Sequence, residues 1–243
     1  MPFARFYPSG GITMNKFDEY KKNILKGLER FAFIRSPLSV FKDAVEYNAW
    51  NVAIHTLPIK QEERLQRMRE IVKGYENERD KEIFRRICND MIKMLSESLD
   101  NYGDHLGEMY MELAPKNKHA GQYFTPYHVS LMCAKMTIGA INIQDKDVIT
   151  FNEPACGSGG MMVAAAETLK ELGINYTMNA VFVAADIDRF CVLMCYLQTS
   201  FIGLPAIIQH QNTITMECWD SLITPAFALQ YFRFMNALKG DKK

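Results

Sequence analysis

The spacing of hydrophobic positions changes near the middle of this 243-residue chain. Up to about residue 113, apolar residues recur every three to four positions, which is the period of amphipathic helices. Beyond about residue 148, short apolar runs alternate with helix-like stretches, which is typical of α/β folds. The pattern therefore predicts a helical first part and an α/β second part.

Five helices are predicted in the first part, after an irregular arm at residues 1–14. They cover about residues 16–33, 37–58, 61–75, 79–99 and 104–113. A polar segment at about 115–121 separates these helices from the rest of the chain. We therefore predict an all-α domain at residues 1–118 and a second domain at residues 119–243.

The second part is predicted to contain three strands and three helices. The helices cover about 127–139, 161–172 and 189–202, and the strands cover about 148–151, 180–185 and 206–210. Strands that alternate with helices at this spacing predict a parallel sheet. Asp188 is placed to cap the last of these helices.

Charge and cysteine usage narrow the class of protein. Lys plus Arg and Asp plus Glu both number 28, so the formal net charge is zero. A protein that holds DNA alone usually carries a basic surplus, so a partner that supplies part of the grip is expected if DNA is the ligand. The six cysteines include no Cys-x-x-Cys pair, and Cys191 and Cys195 lack further ligands at metal spacing. We expect free thiols, no metal, no membrane span and a cytoplasmic location.

A glycine-rich segment after the first predicted strand is the strongest local signal for a ligand. We call residues 153–160 the glycine turn; it reads Glu153-Pro154-Ala155-Cys156-Gly157-Ser158-Gly159-Gly160. Strand, glycine-rich turn and helix is the arrangement with which α/β folds hold nucleotide-like ligands. Glycines let the backbone approach a ligand, and the helix start offers free N–H groups to a carboxylate or phosphate. The alternative is a plain connection between a strand and a helix.

Polar residues follow the second and third predicted strands. Asp186 can accept hydrogen bonds from both ribose hydroxyls of a nucleoside, although a helix cap is the alternative role. Asn212 is placed to contact an adenine edge, and a simple loop is again the alternative.

Three segments occur in an order that points to one family. They are Asp104-x-Leu106-Gly107-x-x-Tyr110, then Gly121-Gln122-Tyr123-Phe124-Thr125-Pro126, then the glycine turn. Together they closely resemble the modification subunits of type I restriction–modification systems, which are adenine-N6 DNA methyltransferases that use S-adenosylmethionine (SAM). The resemblance covers about residues 104–213, under half of the chain.

The resemblance implies a Rossmann-like SAM-dependent methyltransferase domain behind a helical domain. It implies that Gln122, Tyr123, Phe124, Thr125 and Pro126 lie against the methionine end of SAM and that the glycine turn also binds this cofactor. By the same resemblance, Asp186 holds the ribose and Asn212 lies near the adenine, where the family usually has Asp. DNA is the implied substrate, and a separate specificity subunit is the implied partner.

The chain departs from the family at the catalytic motif, Asn/Asp-Pro-Pro-Tyr/Phe. That motif accepts the two N–H bonds of the adenine amino group and stacks an aromatic ring on the flipped-out base. The nearest segment here is Thr224-Pro225-Ala226-Phe227. Thr224 would accept one hydrogen bond, the Pro225 carbonyl another, and Phe227 or Trp219 would stack. The alternative is a loop that joins strand three to a terminal helix. The parallel sheet is then either truncated or completed by another chain.

Three functions follow from these observations. The first is a SAM-dependent adenine-N6 DNA methyltransferase of a restriction–modification or mobile-element system. The second is a catalytically inactive SAM-binding subunit with a regulatory or assembly role, which the missing motif favours. The third is a methyltransferase that acts on protein glutamine or RNA, because fold alone does not select the methyl acceptor.

Overall fold

The computed structural model describes residues 15–114, 123–140 and 148–231. The predicted arm at 1–14, the predicted domain boundary at 118/119 and Gln122 lie outside the described residues. No helix in these three ranges combines the length and apolar character needed to cross a membrane.

Five helices form the first described range and confirm the predicted helical part. They are α1 (Lys16–Glu29), α2 (Pro37–Thr56), α3 (Gln61–Lys73), α4 (Glu78–Ser96) and α5 (His105–Leu113). Pro37 occupies the first turn of α2, where its missing N–H is harmless. Helix α1 packs closely on α4 at Gly27, because a Cβ at this position would lie 2.7 Å from Ile87 Cγ1.

The remaining ranges form an α/β unit. Its elements are α6 (Tyr127–Gly139), β1 (Ile149–Glu153), α7 (Gly160–Glu171), α8 (Tyr176–Asn179), β2 (Ala180–Asp186), α9 (Arg189–Phe201), β3 (Ala206–Asn212), β4 (Glu217–Ile223) and α10 (225–231). The strand order is β1-β2-β3-β4, with β1, β2 and β3 parallel. The three predicted strands and the α/β class are therefore confirmed.

Strand β4 corrects two expectations. One of the two interpretations of the chain after β3 was a loop, but residues 217–223 form a strand. This strand pairs antiparallel with β3, so the sheet is not purely parallel. Only Leu222 of this edge strand is fully buried, so no alternation of apolar and polar residues marks it in the sequence.

One hydrophobic core joins the sheet to the helical part. On the covered face, Phe151 and Phe182 stack with ring centroids 4.4 Å apart, and Ile208 and Leu222 continue the same face. Helix α9 packs on this face, and α2 packs on both α9 and β4. Residues of both predicted domains belong to this core.

The topology decides which residues share an edge of the sheet. The carboxyl ends of β1, β2 and β3 lie together, which places Glu153, Asp186 and Asn212 along one edge of the sheet. This edge is formed by the ends of the strands, not by an outermost strand. Because β4 runs back along β3, its last residue, Ile223, is paired with Ile207 near the opposite edge.

Candidate functional site

The glycine turn is anchored to the end of β2. The Cys156 N–H donates to the Ala185 carbonyl (2.9 Å), and the Gly157 N–H donates to Asp186 Oδ2 (2.8 Å). Gly157 and Gly159 have φ values of +52° and +100°, which side chains rarely adopt. The turn therefore needs glycine at both positions to keep this path.

Asp186 accepts two backbone N–H groups, one from the glycine turn and one from the start of the next helix. Oδ2 accepts the Gly157 N–H, and Oδ1 accepts the Asp188 N–H at 2.8 Å. A carboxylate offers about four lone-pair sites, so about two remain for other donors. The capping role belongs to Asp188, as predicted, because its side chain accepts from the N–H groups of Phe190 and Cys191 at 2.6 and 3.4 Å.

An aromatic residue before α6 lies against the glycine turn. A Cβ at Gly157 would lie 3.1 Å from Phe124 Cδ1, so a side chain at Gly157 would push this ring away. The Phe124 ring centroid lies 5.5 Å from that of Tyr110 on α5. A hydrogen bond from Tyr127 to Glu167 and an ion pair between Lys135 and Glu171 (2.7 Å) fasten α6 to α7. Burial and the Glu167 carboxylate raise the pKa of Tyr127, so it stays protonated as the donor.

A cavity of about 220 Å³ lies between this aromatic segment and the glycine turn. We call it the turn cavity. Nine residues predicted to bind a cofactor line it: Tyr123, Phe124, Thr125, Glu153, Ala155, Cys156, Gly157, Ser158 and Gly160. Two segments that were predicted separately therefore meet at one cavity. Pro126 caps α6, and Pro154 and Gly159 belong to the turn without lining the cavity.

A buried carboxylate, Asp104, lines the turn cavity and supports the glycine turn. Asp104 Oδ2 accepts from the Ser158 hydroxyl at 2.5 Å, and Oδ1 accepts from Gln198 Nε2 at 2.8 Å. The Gly107 N–H also donates to Asp104 Oδ1 at 3.1 Å, which caps α5. Burial raises the pKa of Asp104, although these three donors oppose the shift.

Gln198 completes the support and was missed by sequence reasoning. Its Nε2 also donates to the Ser158 carbonyl (2.7 Å), and its Oε1 accepts the Leu106 N–H (3.1 Å). The signal that would have found it is an amide among the apolar residues of α9. A buried amide needs partners, and here those partners come from α5 and from the glycine turn.

Cys156 is an inert member of the turn. It is 6% exposed, and a hydrogen bond with Cys195, together with burial, raises its pKa. The side chain therefore remains a neutral thiol. Within residues 15–114, 123–140 and 148–231, no group of His, Cys, Asp or Glu side chains is arranged to hold a metal ion.

Asn212 lies at the same edge of the sheet but is used in a turn. Its Oδ1 accepts the N–H groups of Ile214 and Thr215 at 3.0 and 3.2 Å. These bonds guide the chain from β3 into β4. Asn212 does not line the turn cavity.

Thr224, Pro225 and Phe227 are not brought to the glycine turn. Thr224 is fully buried; its hydroxyl donates to the Leu204 carbonyl (2.7 Å) and accepts the Ala206 N–H (2.9 Å). Ala206 opens β3, so this hydroxyl lies at the edge of the sheet opposite the glycine turn. Pro225 and Phe227 lie in α10 beyond it. This geometry gives Thr224 a structural role and does not support catalysis by these three residues.

The solved structures similar to this chain include two methyltransferases of low sequence identity. One is a type I restriction–modification system methyltransferase subunit from Streptococcus thermophilus, with 13% identity and a TM-score of 0.44 over 85% of this chain and 60% of that chain. The other, from Listeria monocytogenes, is described as a class I S-adenosylmethionine-dependent methyltransferase, with 14% identity and a TM-score of 0.42 over 81% of this chain and 55% of that chain. This chain thus spans less than two thirds of either protein.

Comparison with sequences gives the family. No curated protein matches the chain. The family model of N-6 DNA methylases matches residues 100–228, which is more than half of the chain and includes α5, the glycine turn and the whole sheet. This chain belongs to the N-6 DNA methylase family.

Proposed function

We propose that this protein binds SAM at the glycine turn and transfers a methyl group to adenine N6 of DNA in a restriction–modification or mobile-element system. One observation carries the proposal: residues 123–125 and the glycine turn, far apart in the sequence, line one cavity. Membership of the N-6 DNA methylase family supports the reaction type.

The residues at the turn cavity suit the methionine end of SAM. The start of α7 offers N–H groups without partners inside the helix, which suit a carboxylate. Glu153 lines the same cavity and offers a carboxylate to an ammonium group. The ring of Phe124 lies against Gly157 and gives this side of the cavity an apolar wall.

The residues after β2 suit the nucleoside end. Asp186 keeps about two lone-pair sites beyond those used by Gly157 and Asp188, which suits a pair of ribose hydroxyls. Ile187 is 63% exposed beside it and offers an apolar surface to a purine ring. When bound, SAM supplies an electrophilic methyl group on sulfur.

A noncatalytic SAM-binding subunit is the second candidate function. The position of Thr224 favours it. The Thr224 hydroxyl is buried and already bonded to the Leu204 carbonyl and the Ala206 N–H, so it cannot accept a hydrogen bond from an adenine amino group. In this case the same cavity would hold SAM, but the groups that activate the amino nitrogen would be lacking.

DNA and a separate specificity subunit are the proposed partners. The formal net charge of zero supports this proposal, because a partner with a basic surface would then supply much of the attraction to DNA phosphates. We place the protein in the cytoplasm, where DNA and SAM are both present.

The test is transfer of a labelled methyl group from SAM to DNA that lacks adenine methylation. The purified chain is assayed alone and with the products of neighbouring genes, and digested DNA is examined for N6-methyladenine. We expect label in N6-methyladenine. SAM binding without transfer in either condition would favour the noncatalytic subunit, and label in protein glutamine or RNA alone would replace DNA as the substrate. Absence of SAM binding would contradict both candidate functions.

A further inference from the structure

A second cleft lies at the same edge of the sheet, under the helical part. Its volume is about 440 Å³, and it is lined by α3, by the start of α9, and by the facing strands β3 and β4. The lining residues include Trp50, Lys60, Arg64, Arg189, His210 and Trp219. We call it the arginine cleft. It shares no lining residue with the turn cavity, so it is a separate site.

Basic side chains enter this cleft from two helices. Arg64 and Arg67 are three residues apart on α3, which places them on one face, and Lys60 immediately precedes this helix. Arg189 enters from the first position of α9. Arg67 and Arg189 are held by the same buried carboxylate, Glu46, at 2.9 and 2.8 Å.

Arg64 differs from the other basic residues of the cleft because two of its three guanidinium nitrogens, Nε and Nη2, are buried without a hydrogen-bond partner among the described residues. It is 5% exposed, and no acceptor among the described residues lies within hydrogen-bond distance of Nε or Nη2. Asp220 Oδ1 lies 3.9 Å from Nη2 and is paired instead with Lys60 at 3.0 Å. Burying donors of a charged group without acceptors is costly. Within the described residues, no acceptor offsets this cost at Arg64 Nε and Nη2.

Aromatic rings complete the cleft. The Arg64 guanidinium carbon lies 5.2 Å from the ring centroid of Trp50, a cation–π contact within the helical part. On the opposite wall, Trp219 is 42% exposed, with its ring centroid 4.7 Å from that of His210. The indole N–H of Trp219 donates to Glu217 at 2.9 Å, which orients the ring. An exposed, oriented indole is a surface on which a nucleobase stacks.

The charge balance argues against a bare anion. Glu63, Glu70 and Asp220 also line the cleft, and Asp220 Oδ1 lies 3.9 Å from Arg64 Nη2. A phosphate ion would approach this carboxylate and leave the indole unused. A ligand that carries both a flat ring and oxygen acceptors uses Trp219 and Arg64 together, and Asp220 can accept from a base amino group or a sugar hydroxyl.

We infer that the arginine cleft binds a single unstacked nucleotide of a nucleic-acid strand, with the base on Trp219 and an oxygen acceptor at Arg64. This combination of an aromatic surface and a basic group is how proteins hold single-stranded nucleic acid. The inference rests on the proposed function only for the identification of the strand as DNA. Since the cleft is separate from the turn cavity, it contacts DNA away from the glycine turn.

The two tryptophans of the chain provide the readout. Trp50 also lines the cleft but is only 3% exposed, whereas Trp219 is 42% exposed, so a stacked nucleotide should quench mainly the emission of Trp219. One arm titrates the full chain with deoxynucleoside monophosphates and follows this emission. The other arm titrates a fluorescein-labelled single-stranded 12-mer and follows its anisotropy. Tight binding of the 12-mer with weak binding of the monophosphates assigns the site to a strand, and equal binding assigns it to free nucleotides.

Two variants and one matched control test the residues. Arg64→Gln should weaken binding by about tenfold or more, because charge-assisted hydrogen bonds are lost. Trp219→Ala should weaken binding by a similar factor, because a stacked base is lost. Arg69→Gln is the control, since Arg69 is exposed on the same helix and pairs with Glu62 (3.0 Å) outside the cleft. It should bind like the unmodified protein.

The results separate this inference from the proposed function. Unchanged affinity in both cleft variants, or no binding of either ligand, overturns the cleft inference, whatever the outcome of the methyl-transfer assay. Loss of affinity in both variants supports it even if no methyl group is transferred. Circular dichroism checks each fold. If Arg64→Gln does not fold, the exposed Trp219→Ala variant still decides.

Discussion

Replacement of Asp104 by alanine should destabilise the protein at the support of the glycine turn. The carboxylate accepts from Gly107 N–H at 3.1 Å, Ser158 Oγ at 2.5 Å and Gln198 Nε2 at 2.8 Å. These three donors belong to α5, the glycine turn and α9, and all three residues are buried. Alanine leaves all three donors without this acceptor.

The magnitude follows from the number of donors left without an acceptor. Each buried unsatisfied donor costs about 1–3 kcal/mol, and relief from burying a carboxylate offsets part of the sum. We expect Asp104→Ala to lower the free energy of unfolding by about 3–5 kcal/mol, which is a large part of the roughly 5–15 kcal/mol typical of a domain. Asp104→Asn should cost only about 1 kcal/mol, because the amide oxygen replaces Oδ1 and the amide nitrogen can donate to the Ser158 hydroxyl, which can also accept.

Urea unfolding followed by circular dichroism at pH 7 measures both variants against the unmodified protein. Calorimetric titration with SAM then shows whether the turn remains in place. We expect the order of stability unmodified, Asn, Ala, with weaker SAM binding in the alanine variant. An alanine variant within about 0.5 kcal/mol of the unmodified protein would refute the support role. An asparagine variant as unstable as alanine would show that the charge, rather than the pattern of hydrogen bonds, is what the turn requires.

Three further predictions concern other parts of the molecule. Thr224→Val should lower the free energy of unfolding by about 1–3 kcal/mol, because the Ala206 N–H loses its side-chain acceptor, and should leave SAM affinity unchanged in calorimetry; a stable variant that loses methyl transfer would restore the catalytic interpretation. Gly157→Ala should lower the free energy of unfolding by about 1–2 kcal/mol because of its positive φ, and it should also weaken SAM binding. Gly173→Ala, with φ +76° and open space around it, should show only the loss of stability. Equal SAM affinity in the two variants would contradict the position of the turn. Burial lowers the pKa of His105 below its ordinary value of 6.5, so the folded state binds fewer protons than the unfolded state and stability should fall as pH drops through 6.5. From pH 8 to 5, the urea midpoint of the unmodified protein should fall more steeply than that of His105→Gln. Parallel curves for the two proteins would contradict this.

Local sequence patterns predicted the helices and strands that have one buried and one more exposed face. The helical period located α1 to α5, and three apolar runs located β1, β2 and β3 within a few residues of their ends. Strand β4 escaped because it lies at the edge of the sheet and most of its side chains are exposed. An edge strand does not need the apolar alternation from which strands are recognised.

The candidate site likewise has a part that local sequence patterns predicted and a part that they did not. The glycine turn and Asp186 were predictable because each directly follows a strand, and parallel strands bring their carboxyl ends together. The contact between Asp104 and Gln198 joins residues 94 positions apart, so no local pattern predicts it. Thr224 was placed by similarity to a motif, but the antiparallel course of β4 carries it to the opposite edge of the sheet.

The measurement that tests the central claim most directly is calorimetric titration of SAM into the unmodified protein, Asp186→Asn and Asp188→Asn. Asp186 should hold the turn and the ribose, whereas asparagine at 188 should still cap α9. We predict one SAM per chain, a loss of affinity of about ten- to a hundredfold in Asp186→Asn, and a change of less than about twofold in Asp188→Asn. No binding by the unmodified protein, or equal affinity in all three proteins, would contradict the assignment of the glycine turn as a SAM site.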